Sequence, residues 1–123
     1  MDYSEWLKRK GLEFMENKLY FSNFNVQELA MEYGTPVYIT NEKIIRTRFN
    51  EINNVLKSVI KDYNIHYAVK ANSNLSVLKI LNSEGSYFDC TSQGEIYSCF
   101  RAGISSDKII YTGNMFTDED FKF

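Results

Sequence analysis

From residue 35 onward, short apolar runs alternate with longer segments in which apolar residues recur at helical spacing. The short runs predict strands over residues 37–40, 65–70, 87–91 and 108–112. Helical segments follow them, and the longest covers residues 41–60. Alternating strands and helices are typical of βα units arranged around a parallel sheet.

The first 34 residues follow a different pattern. We expect a short helix over residues 4–15, an isolated strand over residues 18–22 and a helix over residues 26–33. Asn25 and Glu28 form a capping pair for the last helix, which Gly34 can end. The sequence therefore predicts a lead-in of residues 1–34 and a βα region of residues 35–123.

The fourth βα unit is incomplete in this sequence. Thr117 can cap a fourth helix, but only six residues follow it. A closed eight-stranded barrel takes about 250 residues, whereas an open doubly wound sheet would leave one face of the fourth strand bare. We therefore expect a truncated (β/α)8 TIM barrel of about four βα units, preceded by a strand that would belong to a separate β domain.

Composition places the chain among globular proteins and argues against several classes. Fourteen basic and 16 acidic residues give a net charge of −2, with no basic face for nucleic acid. Without an apolar stretch of about 20 residues or a signal-like start, we expect a cytoplasmic protein that binds no membrane. Cys90 and Cys99 lack metal-ligand spacing, so we expect a buried, reduced pair and no metal.

Polar residues fall at the predicted carboxyl ends of the strands, where α/β proteins place their sites. Lys70 ends the second strand run, Asp89 lies in the third, and Glu95 follows at the start of a helix. Strand alternation puts His66 on the same face as Lys70, but toward the closed end, where packing is the simpler interpretation. A neutral lysine amine can form a Schiff base with an aldehyde, and a structural ion pair with Asp89 is the alternative.

Glu95 also has two interpretations. It lies three residues after Ser92, and this pair forms a capping box that explains the glutamate without catalysis.

Four segments, in order, resemble one enzyme family. They are YGTPVYIT (33–40), HYAVKANSN (66–74), YFDCTSQGE (87–95) and KIIYTGNMFTDEDF (108–121). They are similar to the fold-type III pyridoxal-phosphate decarboxylases, which are built on an alanine-racemase-like barrel. Within that family, residues 70–81 and 88–95 are most similar to the diaminopimelate decarboxylases.

The resemblance implies a lyase that converts meso-diaminopimelate to L-lysine and CO₂, and that is a homodimer in full-length form. Lys70 would carry pyridoxal 5'-phosphate covalently, and Asp89 and Glu95 would lie beside the cofactor. The family's glycine-rich phosphate loop and the acidic partner of the ring nitrogen are not recognised here, so we expect the chain alone to be inactive. An ornithine- or arginine-type decarboxylase, a non-catalytic pyridoxal-phosphate-binding module and a half-barrel that pairs with another half are alternatives.

Overall fold

The structure, a computed structural model, describes residues 7–8, 11–114 and 116–122. The chain forms two compact units, Met1–Ile44 and Ile45–Phe123. That residues 1–34 are a lead-in and residues 35–123 a separate barrel domain remains a prediction. Within the described ranges, none of the helices combines the length and apolar character that crossing a bilayer requires.

The first unit contains an antiparallel sheet of three strands. These are β1 (Leu12–Met15), β2 (Lys18–Phe21) and β3 (Phe24–Asn25), in the order β1-β2-β3. The turns between them place Glu16 and Asn17, then Ser22 and Asn23, at positive φ. Two consecutive positive φ values are what a tight hairpin turn with the right-handed strand twist needs.

The hairpins correct two expectations for the lead-in. The helix predicted over residues 4–15 is wrong over residues 12–15, because Leu12 pairs with Phe21 and Met15 with Lys18 as strands. Residues 4–6, 9 and 10 of that helix lie outside the described residues. The strand predicted over residues 18–22 is real, but it is the central strand of the sheet and not an isolated one.

Helix α1 (Val26–Tyr33) begins and ends as its sequence predicts. The Asn25 side chain accepts hydrogen bonds from the backbone N–H groups of Gln27 (2.9 Å) and Glu28 (3.3 Å). These contacts satisfy donors that the first helical turn leaves unpaired. Gly34 follows the helix with φ 81°, a conformation that glycine adopts without strain.

The strand predicted over residues 37–40 does not form. The sheet pairings of the described residues include none of these four positions, and Tyr38 is 99% exposed. Apolar and β-branched residues favour a strand only where a neighbouring strand supplies a hydrogen-bonding ladder.

The second unit is built around a parallel sheet with the order β4-β5-β6. Its strands are β4 (His66–Ala68), β5 (Tyr87–Cys90) and β6 (Ile109–Tyr111). The longest helix, α2 (Glu42–Val59), precedes the sheet, and α3 (Leu75–Ser83) and α4 (Gln93–Arg101) connect its strands. Short 3-10 turns at Val69–Ala71 and Ser106–Lys108 adjoin β4 and β6. These elements confirm the predicted succession of βα units from residue 41 to residue 111.

The fourth helix predicted after Thr117 is replaced by turns. The backbone N–H of Asp120 donates to Thr117 O (3.0 Å) and that of Lys122 donates to Glu119 O (3.1 Å). These bonds join residues three apart, whereas an α-helix joins residues four apart.

The core of the second unit lies between the helices and one face of the parallel sheet. Phe88 and Cys90 point into it from the central strand, and both are fully buried. The helices contribute further buried side chains: Phe49, Val77, Leu78, Leu81 and Cys99. Phe100, which follows Cys99 on α4, is 46% exposed and lies outside this core.

The two cysteines form the predicted buried, reduced pair. Cys90 Sγ and Cys99 Sγ lie 3.7 Å apart, without a disulfide bond. Burial raises the pKa of both thiols, because the charged thiolate loses its solvation. Both cysteines therefore act as small apolar core residues.

Polar contacts tie α2 to the end of α3. The Arg46 guanidinium donates to Glu84 Oε1 and to Ser83 Oγ (2.8 Å), and Asn50 Nδ2 donates to Glu84 Oε2 (2.6 Å). The hydrogen bond from Asn50, followed by that from Arg46, lowers the pKa of Glu84 from its ordinary value. The folded state therefore favours the ionised Glu84 carboxylate.

We expect Glu84→Gln to cost stability near neutral pH and to cost progressively less in acid. A carboxylate with a lowered folded-state pKa stabilises the fold above its unfolded pKa, and this contribution disappears as pH falls through the lowered value. Urea unfolding of wild type and Glu84→Gln at about pH 7 and about pH 3 measures the change. Glu51→Gln, which removes an exposed carboxylate of α2, is the matched control. An equal cost at both pH values would contradict this role.

Candidate active site at the carboxyl ends of the parallel strands

One face of the parallel sheet carries small and polar side chains. The strand register places His66 beside Tyr87, and Ala68 beside Asp89. Because side chains alternate along a strand, these residues point away from the face that buries Phe88. Asp89 therefore lies on the face of the sheet opposite to the one that packs against the helices of this unit.

Lys70 lies immediately beyond β4, in the middle of the 3-10 turn Val69–Ala71. The predicted strand over residues 65–70 is thus too long, since strand geometry ends at Ala68 and the Asn72 N–H closes the turn on Val69 O (3.1 Å). Lys70 is exposed. Its amine has no hydrogen bond or ion pair among the described residues.

The asparagines after Lys70 hold the chain between this turn and α3. Asn72 Oδ1 accepts from the Asn74 N–H (3.0 Å), and Asn74 Oδ1 accepts from the Ser76 N–H (2.9 Å) at the helix start. The Tyr67 hydroxyl donates to Asn72 O (3.2 Å). Asparagine side chains favour such turns and caps, so the Asn-Ser-Asn sequence fixes the backbone that carries Lys70.

Asp89 lies in the central strand, beside Ala68 on one side and Ile110 on the other. Its Oδ1 accepts a hydrogen bond from the Thr112 hydroxyl. The alternative ion pair between Asp89 and Lys70 is not present in the structure. The strand register still places the two residues at the same end of the sheet, since Asp89 lies beside Ala68 and Lys70 follows Ala68 by two residues.

Glu95 is engaged by the loop that precedes α4. Its two oxygens accept from the Thr91 N–H (2.7 Å) and the Thr91 hydroxyl (3.1 Å). Ser92 Oγ accepts from the Glu95 N–H (3.3 Å), as expected for the helix cap. Only the Ser92 half of the predicted capping box forms, because the Glu95 carboxylate bonds Thr91 and not the Ser92 N–H. The place of Glu95 beside a cofactor remains a proposal.

Asp120 organises the loop after β6, and sequence reasoning did not identify it. Its Oδ1 accepts from Gln93 Nε2 (3.0 Å) and from the Tyr111 hydroxyl (3.2 Å), while Oδ2 accepts from the Thr117 N–H and hydroxyl (both 2.7 Å). The bond from the Thr117 backbone is the largest cause that lowers the pKa of Asp120. The spacing of Thr117 and Asp120 resembles a capping box, which was the available signal.

His66 lies at the amino end of β4, away from Lys70. The centroid of its ring lies 5.2 Å from that of Tyr87. Its Nδ1 is buried with no hydrogen-bond partner among the described atoms. The packing contact agrees with the expected structural interpretation of His66.

The described residues fit the reactive end of pyridoxal phosphate. An unpartnered lysine amine can bind an aldehyde covalently, and a neighbouring carboxylate can stabilise positive charge on the bonded nitrogen. Lys70 and Asp89 supply these groups at one end of the sheet.

Comparison with known proteins identifies the family of this chain. The family described as pyridoxal-dependent decarboxylase, pyridoxal binding domain, matches residues 42–123. The chain is 43% identical over 96 residues to the diaminopimelate decarboxylase of Methanothermobacter thermautotrophicus, covering 78% of this chain and 22% of that protein.

Solved structures share the fold. The crystal structure of diaminopimelate decarboxylase from M. jannaschii matches with a TM-score of 0.81 and 28% identity, covering 94% of this chain and 28% of that one. The same enzyme has been solved in complex with L-lysine. The lysine/ornithine decarboxylase of Vibrio vulnificus, complexed with putrescine, matches with a TM-score of 0.68 and 25% identity, covering 79% and 26% of the two chains.

The chain thus spans about a quarter of the length of the relatives that it matches. The predicted partial barrel and the predicted cofactor, pyridoxal phosphate, are both confirmed by these matches. From the family match over residues 42–123, and from the agreement in fold, this chain belongs to the pyridoxal-dependent decarboxylases.

Proposed function

We propose that this chain forms the cofactor-lysine part of a diaminopimelate decarboxylase, with Lys70 as the residue that binds pyridoxal phosphate. The observation that carries the proposal is the placement of Lys70. It is exposed and unpartnered just beyond a parallel strand, at the sheet end where Asp89 lies. Such an amine is available for the covalent chemistry that its family uses.

The chain's own residues have distinct roles in this proposal. When bound, pyridoxal phosphate supplies an electron-accepting ring for the electron pair released as a carboxylate leaves as CO₂. Lys70 holds the cofactor through its amine, and Asp89 offers a carboxylate to positive charge near that nitrogen. Glu95 holds the loop at Thr91–Ser92, which keeps the start of α4 in place at the same edge of the sheet.

The proposed substrate is meso-diaminopimelate, and L-lysine is the proposed product. Support comes from the name of the 43% identical relative and from the L-lysine complex of the M. jannaschii enzyme. An ornithine- or arginine-type substrate is the second candidate, favoured by the match to the V. vulnificus lysine/ornithine decarboxylase. A cytoplasmic location and a homodimeric full-length form remain predictions.

A chimera tests the proposed activity. The segment of the M. jannaschii enzyme that matches this chain is replaced by the present sequence, and CO₂ release is measured from meso-diaminopimelate, ornithine and arginine. We expect the chimera to release CO₂ from meso-diaminopimelate, because Lys70 then supplies the cofactor-binding amine and the remaining part of the M. jannaschii enzyme supplies the rest of the site. The unmodified enzyme is the positive control.

The chain alone is a further control, and one result of the chimera assay would refute the proposal. The chain of 123 residues is expected to release no CO₂ by itself, since it spans only 22% of its 43% identical relative. A folded chimera that binds pyridoxal phosphate but decarboxylates none of the three amino acids would refute the proposed activity.

A further inference from the structure

Thr112 follows β6 on the same face of the sheet as Asp89. The Thr112 N–H donates to Cys90 O (2.9 Å), which continues the register that places Cys90 beside Tyr111. The Thr112 hydroxyl contacts Asp89 Oδ1. An ionised carboxylate only accepts hydrogen bonds, so the hydroxyl is the donor. Asp89 is therefore held by the residue that directly follows the neighbouring strand, β6.

The carboxylates near this end of the sheet differ in how many of their oxygens are used. Both oxygens of Glu95 accept bonds from Thr91, and both oxygens of Asp120 accept bonds within its loop. Asp118 and Glu119 lie on the exposed turn of that loop. Asp89 Oδ2, in contrast, has no hydrogen-bond partner in the described part of the chain.

The strand register relates this free oxygen to the cofactor lysine. Asp89 lies beside Ala68, and Lys70 follows Ala68 by two residues in the turn that ends β4. Building on the proposed function, we propose that Thr112 is a positioning residue. By holding Oδ1, its hydroxyl keeps Asp89 oriented so that Oδ2 stays available to positive charge at the Lys70 nitrogen.

The test is the pH dependence of the absorbance of pyridoxal phosphate bound to Lys70 in the chain of 123 residues. Removing an adjacent opposite charge disfavours the protonated nitrogen, so Asp89→Asn is expected to lower the midpoint by about one to three pH units. Thr112→Val should lower it by about half a unit or more, as part of the same charge effect. Thr112→Ser keeps the donor and should restore the wild-type midpoint.

A double-mutant comparison separates positioning from a general structural role. In the Asp89→Asn background, Thr112→Val is expected to produce no further shift, because the two changes remove one interaction. Thr47→Val, an exposed threonine of α2, is the matched control and should leave the midpoint unchanged. A shift from Thr112→Val that persists in the Asp89→Asn background would overturn the proposal.

A readout that does not need the cofactor completes the test. The carboxyl ¹³C resonance of Asp89 should move in Thr112→Val and stay in place in Thr112→Ser. Unchanged resonance and midpoint in Thr112→Val, with Lys70 labelled normally, would refute the positioning role alone. Failure of wild-type Lys70 to bind pyridoxal phosphate would refute the proposed function and, with it, the role of Thr112.

Discussion

Lys70→Ala is expected to abolish covalent capture of pyridoxal phosphate by this chain. After incubation and reduction with borohydride, mass spectrometry should find a pyridoxyl group on Lys70 of the wild-type chain and at no comparable level in the variant. The physical reason is that the exposed Lys70 amine is the nucleophile, and alanine offers none. In the active chimera, the same change should lower kcat by on the order of 10⁴-fold or more, as loss of a covalent nucleophile does.

Two other lysines of the second unit are controls for this result. Lys79 is exposed on α3, and Lys108 Nζ donates to Asn82 Oδ1 (3.0 Å). Alanine at either position should leave the label on Lys70 intact. Equal labelling of Lys70, Lys79 and Lys108 in the wild-type chain would mean that the assignment of Lys70 is wrong.

Phe88→Ala is expected to destabilise the second unit by about 3–5 kcal/mol. The side chain is fully buried in the central strand. Its ring packs edge-on against that of Tyr67, with 6.5 Å between the ring centroids. Truncation loses this burial and leaves a cavity that close-packed neighbours refill only in part. Because single domains are stable by only about 5–15 kcal/mol, the change should remove much of the cooperative urea transition.

A milder variant and an exposed phenylalanine keep this prediction measurable. Phe88→Leu retains most of the apolar volume and should cost less than the alanine variant. Phe100→Ala should cost much less than Phe88→Ala, because Phe100 on α4 is 46% exposed. Equal losses from Phe88→Ala and Phe100→Ala would contradict the location of the core.

The local signals of the sequence predicted most of the second unit. The cap predicted at Ser92 begins a helix of this unit, as the cap predicted at Asn25 does in the first unit, because a side-chain oxygen there satisfies free backbone donors within the same turn. Strand ends were harder to predict. The strand predicted over residues 65–70 includes Val69 and Lys70. In the structure, a hydrogen bond from the Asn72 N–H to Val69 O closes a turn at these residues instead.

Long-range pairing explains the remaining differences. Residues 37–40 have the composition of a strand but no strand partner. Residues 12–15 are predicted to be helical, but in the structure they pair as a strand through a hairpin. The family resemblance identified Lys70, Asp89 and Glu95 as candidates. It could not identify Thr112, because the contact with Asp89 spans 23 residues and depends on the register between β5 and β6.

The paired thiols of Cys90 and Cys99 can report transient local opening of the second unit. Both sulfur atoms are shielded from solvent, and one belongs to the central strand while the other belongs to the helix that covers it. An alkylating reagent reaches either sulfur only when that helix and strand separate transiently. The rate of thiol capture under native conditions therefore measures how often this layer opens, without any added dye or introduced probe.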